Sequence, residues 1–89
     1  MKAQFAMCAK SYVWAWCNAR EAFGDLAKAM ARQVIEDAVR ELNAAAEDCD
    51  VNDIAYILRP YEQAAPSAYT ELWQRGGERI KAALLVNAL

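Results

Sequence analysis

The sequence contains no histidine. That absence removes most zinc sites, the Ser–His and Cys–His nucleophile pairs, and the commonest general base. With only two prolines and three glycines, little in the chain interrupts a long helix. Cys8, Cys17 and Cys49 are odd in number and form no CxxC pair, so a disulfide framework is not expected and a reducing, cytoplasmic compartment is. No apolar run reaches the length of a membrane span, and Lys10 breaks the N-terminal stretch that a signal peptide would need. Tandem repeats and low-complexity segments are lacking as well.

A strong net charge is also missing. At −2 the chain is too mildly acidic to mimic a nucleic acid and has the wrong sign to grip phosphates. The distribution says more than the total. Residues 1–35 carry five basic and two acidic groups, residues 36–62 two and eight, and residues 63–89 three and two. The middle third is a local acidic field that could steer a basic partner.

What remains is ordinary globular material, 57% hydrophobic and 25% charged, a balance that opposes disorder. A chain of 89 residues reads as a single domain spanning 1–89. It buries only about 60–65% of its unfolded surface, and small helical proteins often offset that thin margin by oligomerising or docking onto a partner.

The hydrophobic period predicts helices. Phe5, Cys8, Tyr12, Trp16, Ala19 and Phe23 recur at three- and four-residue spacings, giving a first helix from about Ala3 to Phe23. Ser11–Cys17 is dense in aromatic and β-branched residues and could pass for a strand, but the long alanine-rich period outweighs it. Gly24 and Asp25 supply a break and an N-cap. A second helix follows from about Leu26 to Glu47, lined by Ala27, Ala31, Val34, Ile35, Ala38, Leu42 and Ala45, with Met30 and Val39 at the edges. Its opposite side carries Arg32, Glu36, Arg40, Asn43 and Glu47, and Glu36–Arg40 has the favourable order for an ion pair four residues apart. Asp50 caps a short third helix, Val51 to about Arg59, which Pro60 ends. Tyr61–Ala65 reads as a connector. Tyr69, Leu72, Gly76, Ile80, Ala83 and Asn87 then keep register through Gly76–Gly77, which favours one last helix from about Ser67 to Ala88. A turn at the glycine pair is the alternative. The expected fold is an all-α helical bundle of three long helices and one short helix.

Several candidate sites fail on their own chemistry. Asp48, Asp50 and Asn52 match the first, third and fifth positions of a calcium loop, but Asp53 stands where glycine must turn the chain and Arg59 where a bidentate glutamate is required. A helix-turn-helix reading of the second and third helices meets an acidic loop and a single cation, Arg59, so phosphate would repel it. Lys2, Lys10, Arg20, Lys28 and Arg32 do not share a face, as a nucleic-acid stripe requires. Arg75, Arg79 and Lys81 are partly explained by a helix dipole. Carboxylate pairs such as Asp37–Glu41 lack a cleft that would raise a pKa, and Cys17, beside Arg20, has no base to activate it.

Two features point to contact with another protein. Met7, Lys10, Trp14, Cys17 and Glu21 recur opposite the main stripe of the first helix. Either that helix is covered on two sides and Trp14 is core, or Trp14 and Met7 form an exposed anchor of the kind enriched at binding hot spots. The second feature is the acidic stretch holding Glu36, Glu41, Glu47, Asp48, Asp50 and Asp53, suited to a basic groove. The expectation is therefore a non-enzymatic interaction module, a small inhibitor or regulator that occludes a surface of a larger protein complex. The expected setting is a phage or other mobile element that uses the module against host machinery. Neither cofactor, metal, membrane nor direct nucleic-acid contact is expected. The alternative is a structural helical homodimer that buries the first helix or the Gly76 face of the last.

Overall fold

The computed structural model describes residues 2–89, and these are all-α: among the described residues there is no strand. Six helical segments follow one another: α1 (Lys2–Arg20), α2 (Asp25–Ala46), α3 (Val51–Leu58), the single turn α4 (Tyr61–Ala64), α5 (Pro66–Arg75) and α6 (Glu78–Ala88). Among the described residues no helix is long and apolar enough to cross a membrane. The expected three long helices reduce to two, because the last one is broken at Gly76–Gly77, and the expected connector after Pro60 contains the extra turn α4.

α1 and α2 pair along their length as an antiparallel hairpin. At 1.5 Å per residue, α2 alone is about 33 Å long, which accounts for most of the 39 Å long dimension of the molecule. α3, α5 and α6 pack against one end of this hairpin, α3 chiefly on α6. The core lies there: Phe5, Ala9 and Tyr12 from α1, Ile35, Leu42 and Ala46 from α2, Ile54 and Leu58 from α3, Leu72 from α5, and Ile80 and Leu84 from α6 are all buried. Each large apolar side chain so buried contributes about 1.5–3 kcal/mol.

Segment Ser11–Cys17 is helical throughout; its β-branched and aromatic residues yield to tertiary packing of the 3.6-residue period. α1 stops three residues before Phe23. The chain reverses at Gly24, whose φ of 89° is the left-handed region that favours glycine. Gly24 is itself the N-cap of α2 and Asp25 its first helical residue, so Asp25 interacts with the helix dipole rather than capping it. Asp50 does cap α3, its Oδ1 accepting from the Asn52 N–H at 2.8 Å. Arg59 stays helical (φ −50°, ψ −47°) although a proline follows; Pro60 ends α3 because it has no N–H to continue the ladder.

The break between α5 and α6 has a steric and a polar cause. Gly76 is buried and extended (φ −71°, ψ 146°). A Cβ there would lie 2.6 Å from the Leu72 carbonyl oxygen and 2.8 Å from Ile80 Cγ2, so the turn requires glycine for space, not for an unusual φ. Asn43 on α2 supplies the polar part: its Nδ2 donates to the Arg75 carbonyl (3.2 Å) and its Oδ1 accepts from the Gly77 N–H (2.8 Å). One side chain thus satisfies a terminal carbonyl of α5 and an amide preceding α6. The three- and four-residue spacing survives because both short helices turn their apolar stripes to the same core.

Other polar bonds tie the helices together. Tyr12 Oη donates to the Ala68 carbonyl at 2.7 Å, joining α1 to α5. Asn87 Nδ2 donates to the Ala55 carbonyl (3.0 Å) and to Tyr69 Oη (3.3 Å), joining α6 to α3 and α5. Arg79 lies in the first turn of α6, where a cation opposes its own helix dipole. It reaches instead to the end of α2, donating to the Ala46 carbonyl at 2.8 Å and to the Cys49 carbonyl. Its role is to close another helix's C-terminus.

Candidate functional site

The α1–α2 seam away from α5 and α6 is an open groove. One part, of about 430 Å³, is lined by Lys10, Ser11, Trp14 and Ala15 of α1 and by Val34, Asp37, Ala38 and Glu41 of α2. A second part, of about 480 Å³, shares Ser11 and Glu41 and adds Met7, Cys8, Ala45 and Asp48. The groove exists because the seam is floored by small side chains: Ser11, Ala15, Ala38 and Ala45 hold two backbones close and leave a channel above them.

The walls are apolar side chains in water. Trp14 is 69% and Val34 54% exposed, so the alternative that buries Trp14 in the core does not hold. Met7 is exposed on the same wall as Trp14, and Met30 and Leu26, four and eight residues before Val34, extend the α2 wall towards the hairpin tip. Phe23, expected on the buried stripe, is 95% exposed at that tip. The reason is the early end of α1: beyond Arg20 the chain turns where no other helix stands over it.

The structure thus brings together residues that sequence reasoning assigned to two separate surfaces. Met7, Lys10 and Trp14 share one groove with Glu41 and Asp48. Cys17 is exposed on α1 and lines neither part. Asp37, a residue of the α2 wall, accepts from Gln33 Nε2 at 3.1 Å and is paired with Arg40. Arg40 therefore bonds an acid three residues before it, not Glu36 as the sequence suggests. Lys10 and Glu41 enter no ion pair among the described residues.

The remaining acidic candidates lie elsewhere. Asp50 is the N-cap of α3, and Asp53 stands 4.0 Å from Lys2 Nζ. Glu47 is exposed at the end of α2, and Glu36 is exposed outside the groove. Among the described residues no group of three or more acidic or cysteine side chains is placed to hold a metal ion. Most of the acidic run shapes the α2–α3 connection.

The opposite seam of the same hairpin has the other charge, with Lys28, Arg32 and Arg75 around Trp16, Ala31 and Ile35. Arg75 bonds Glu71 at 2.8 Å, and that bond raises its already high pKa. Trp16 packs edge-on against Tyr12, with ring centroids 6.5 Å apart, and its indole N–H has no hydrogen-bond partner among the described residues. Burial pushes the Tyr12 hydroxyl up to about 12, because the phenolate would lose its water. That tyrosine is structural and faces away from the open groove.

Sequence reasoning missed the Val34–Met30–Leu26 wall, placing Val34 on the buried stripe, Met30 at its edge and Leu26 only at the start of the helix, and it missed the convergence of Glu41 with Trp14. The signal for the first was present in the alternation of bulky residues with Ala27 and Ala31: two adjacent stripes, one of alanine and one of large side chains, share that half of α2. No protein-family model, curated protein or solved structure matches the chain.

Proposed function

We propose that this chain is a non-enzymatic protein–protein interaction module, a small inhibitor or regulator that covers a surface of a larger macromolecular complex with the open face of its α1–α2 hairpin. The observation that carries this reading is Trp14, exposed beside Val34 over a groove of small residues. An exposed tryptophan on a rigid helix loses little side-chain entropy on docking and buries a large area when covered. The apolar wall continues through Met30 and Leu26 to Phe23, and contiguous apolar surface of this kind marks contact sites. The three cysteines are free, which suits the cytoplasm. A mobile element that disarms a host complex is the setting we propose for such a module.

A second reading, self-association, is supported by Lys10 and Glu41. Both line the groove and enter no ion pair among the described residues, and two antiparallel copies would set each against the other's opposite charge.

The test is affinity capture of the tagged chain from its native host lysate, beside Trp14→Ala and Leu85→Ala. Leu85 is an exposed apolar residue of α6 that lines neither part of the groove. A stoichiometric partner lost with Trp14→Ala and kept with Leu85→Ala is the expected result. Retention in both variants, or loss in Leu85→Ala alone, would place the working surface elsewhere. A parent chain that sediments as a stable dimer dissociated by Trp14→Ala would select self-association.

A further inference from the structure

We propose that Gly76–Gly77 is an exchange hinge: α5 and α6 can join into one helix, and α6 then docks on α3 of a second copy of this chain. The first ground is register. Tyr69, Leu72, Gly76, Ile80, Ala83 and Asn87 keep three- and four-residue spacing through the break. Residues 66–88 can therefore close into one helix about 35 Å long with a single apolar stripe. Both glycines already hold a helical φ (−71° and −73°), so a change of ψ alone carries them into the helix.

The second ground is that the joined helix gives up little. Asn43 loses its bonds to the Arg75 carbonyl and the Gly77 N–H. The continuous ladder supplies both groups again, because the Gly77 N–H then donates to the Trp73 carbonyl and the Arg75 carbonyl accepts from the Arg79 N–H. α6 packs chiefly on α3. Its other ties run from Arg79 to the Ala46 and Cys49 carbonyls and from Asn87 to the Ala55 carbonyl and Tyr69 Oη. A second copy offers every one of those partners.

The occupant follows from length. Only two residues link the helices, and once they straighten α6 runs about 17 Å beyond the end of α5 and leaves its seat. That uncovers Ile80, Ala83 and Leu84 on α6, and Ile54 and Leu58 on α3, all buried in the closed chain. A second copy in the same state carries the matching half of each surface, and a two-fold pairing covers both seats at once. The α1–α2 groove is untouched. The exchange is therefore independent of what docks there, and the pair presents two open grooves.

The test is the sedimentation of two variants beside the parent chain. The closed turn has no room for a Cβ at position 76, so Gly76→Ala is expected to be chiefly dimeric, with full helicity and cooperative unfolding. Gly77→Ala combined with Asn43→Ala leaves the closed turn sterically open, since a Cβ at position 77 makes only an ordinary contact at 3.5 Å. Each of these two changes favours the joined helix by about fivefold per chain, so the dimer Kd should fall by about 10²- to 10³-fold. In dimers mixed from isotope-labelled and unlabelled chains, contacts between α3 and α6 side chains are expected to run between chains. Trp14→Ala should leave the dimer intact. A flexible Gly-Ser insert after Gly77 should return the monomer, because a longer link lets α6 fold back on its own chain.

A double variant that stays monomeric up to about 1 mM would overturn the hinge. So would a dimer whose α3–α6 contacts remain within one chain, or one that Trp14→Ala dissociates, which would assign the pairing to the groove. Should Gly76→Ala fail to fold, the double variant decides alone. None of these results touches the docking reading, which stands or falls on partner capture.

Discussion

The two ends of the α1–α2 hairpin are built from the same helices and differ in what stands around them. At the closed end, Phe5, Ala9 and Tyr12 face Leu42, Ala45 and Ala46 beneath α3, α5 and α6, and all are buried. At the free end, Phe23, Leu26, Met30 and Val34 are exposed, although the period of three and four that places them continues without a break from the closed end. Amphipathic spacing decides which residues share a face. It does not decide how many turns of that face a neighbour covers, and here the neighbours are too short to reach the tip. The same alanine-rich seam is core on one side and groove on the other.

This difference can be tested from its largest consequence downwards. Leu42→Ala or Ile80→Ala, both at fully buried positions, is expected to destabilise the chain by about 3–4 kcal/mol in urea unfolding. Leu26→Ala at the free end is expected to stay within about 0.5 kcal/mol. A large loss from Leu26→Ala would mean that the tip is packed.

High pH gives the next largest effect. Tyr12 is buried at the closed end with its hydroxyl pushed up to about 12 from 10.0. A group whose folded pKa is raised contributes stability that is complete below its unfolded value and disappears as pH climbs through the folded one. Unfolding is therefore expected to become easier between about pH 10 and 12, by about 2–3 kcal/mol in total. Tyr12→Phe should flatten that fall, at the expense of about 1 kcal/mol at neutral pH from the lost bond to the Ala68 carbonyl. An identical slope in Tyr12→Phe would assign the effect to other groups.

Smaller still is the contribution of Asn43. Asn43→Ala removes two bonds across the α5–α6 break and should cost about 1–2 kcal/mol, with faster amide exchange at Gly77 than in the middle of α2. Unchanged exchange at Gly77 would mean that the glycine pair holds the turn unaided.

These contrasts also show how far the sequence could be read. The all-α architecture, the Asp50 cap and the stripe from Phe5 to Ala19 all follow from local rules, because each depends on residues within one or two turns. The turn at Gly76–Gly77 stayed ambiguous because the apolar period runs straight through it. What breaks the helix is a side chain 32 residues from Arg75, Asn43, which looked like one more polar residue on the outer face of α2. Arg79 misled for a similar reason: its partners are carbonyls of another helix. Phe23 was misplaced because helix length, not periodicity, decides its exposure. For the candidate site, the faces of Trp14 and Glu41 were each legible, but their meeting in one groove depends on the rotation of α1 against α2, which neither helix encodes alone.

The claim on which the functional reading depends is that the groove face takes no part in holding the fold together. Its most direct test is the urea unfolding free energy of the triple variant Trp14→Ser, Met30→Gln, Val34→Gln, measured with the chain verified as a monomer. Three changes at exposed positions should together stay within about 1.5 kcal/mol of the parent. A loss of about 4 kcal/mol or more would show that these side chains belong to the core and that no open face waits to be covered.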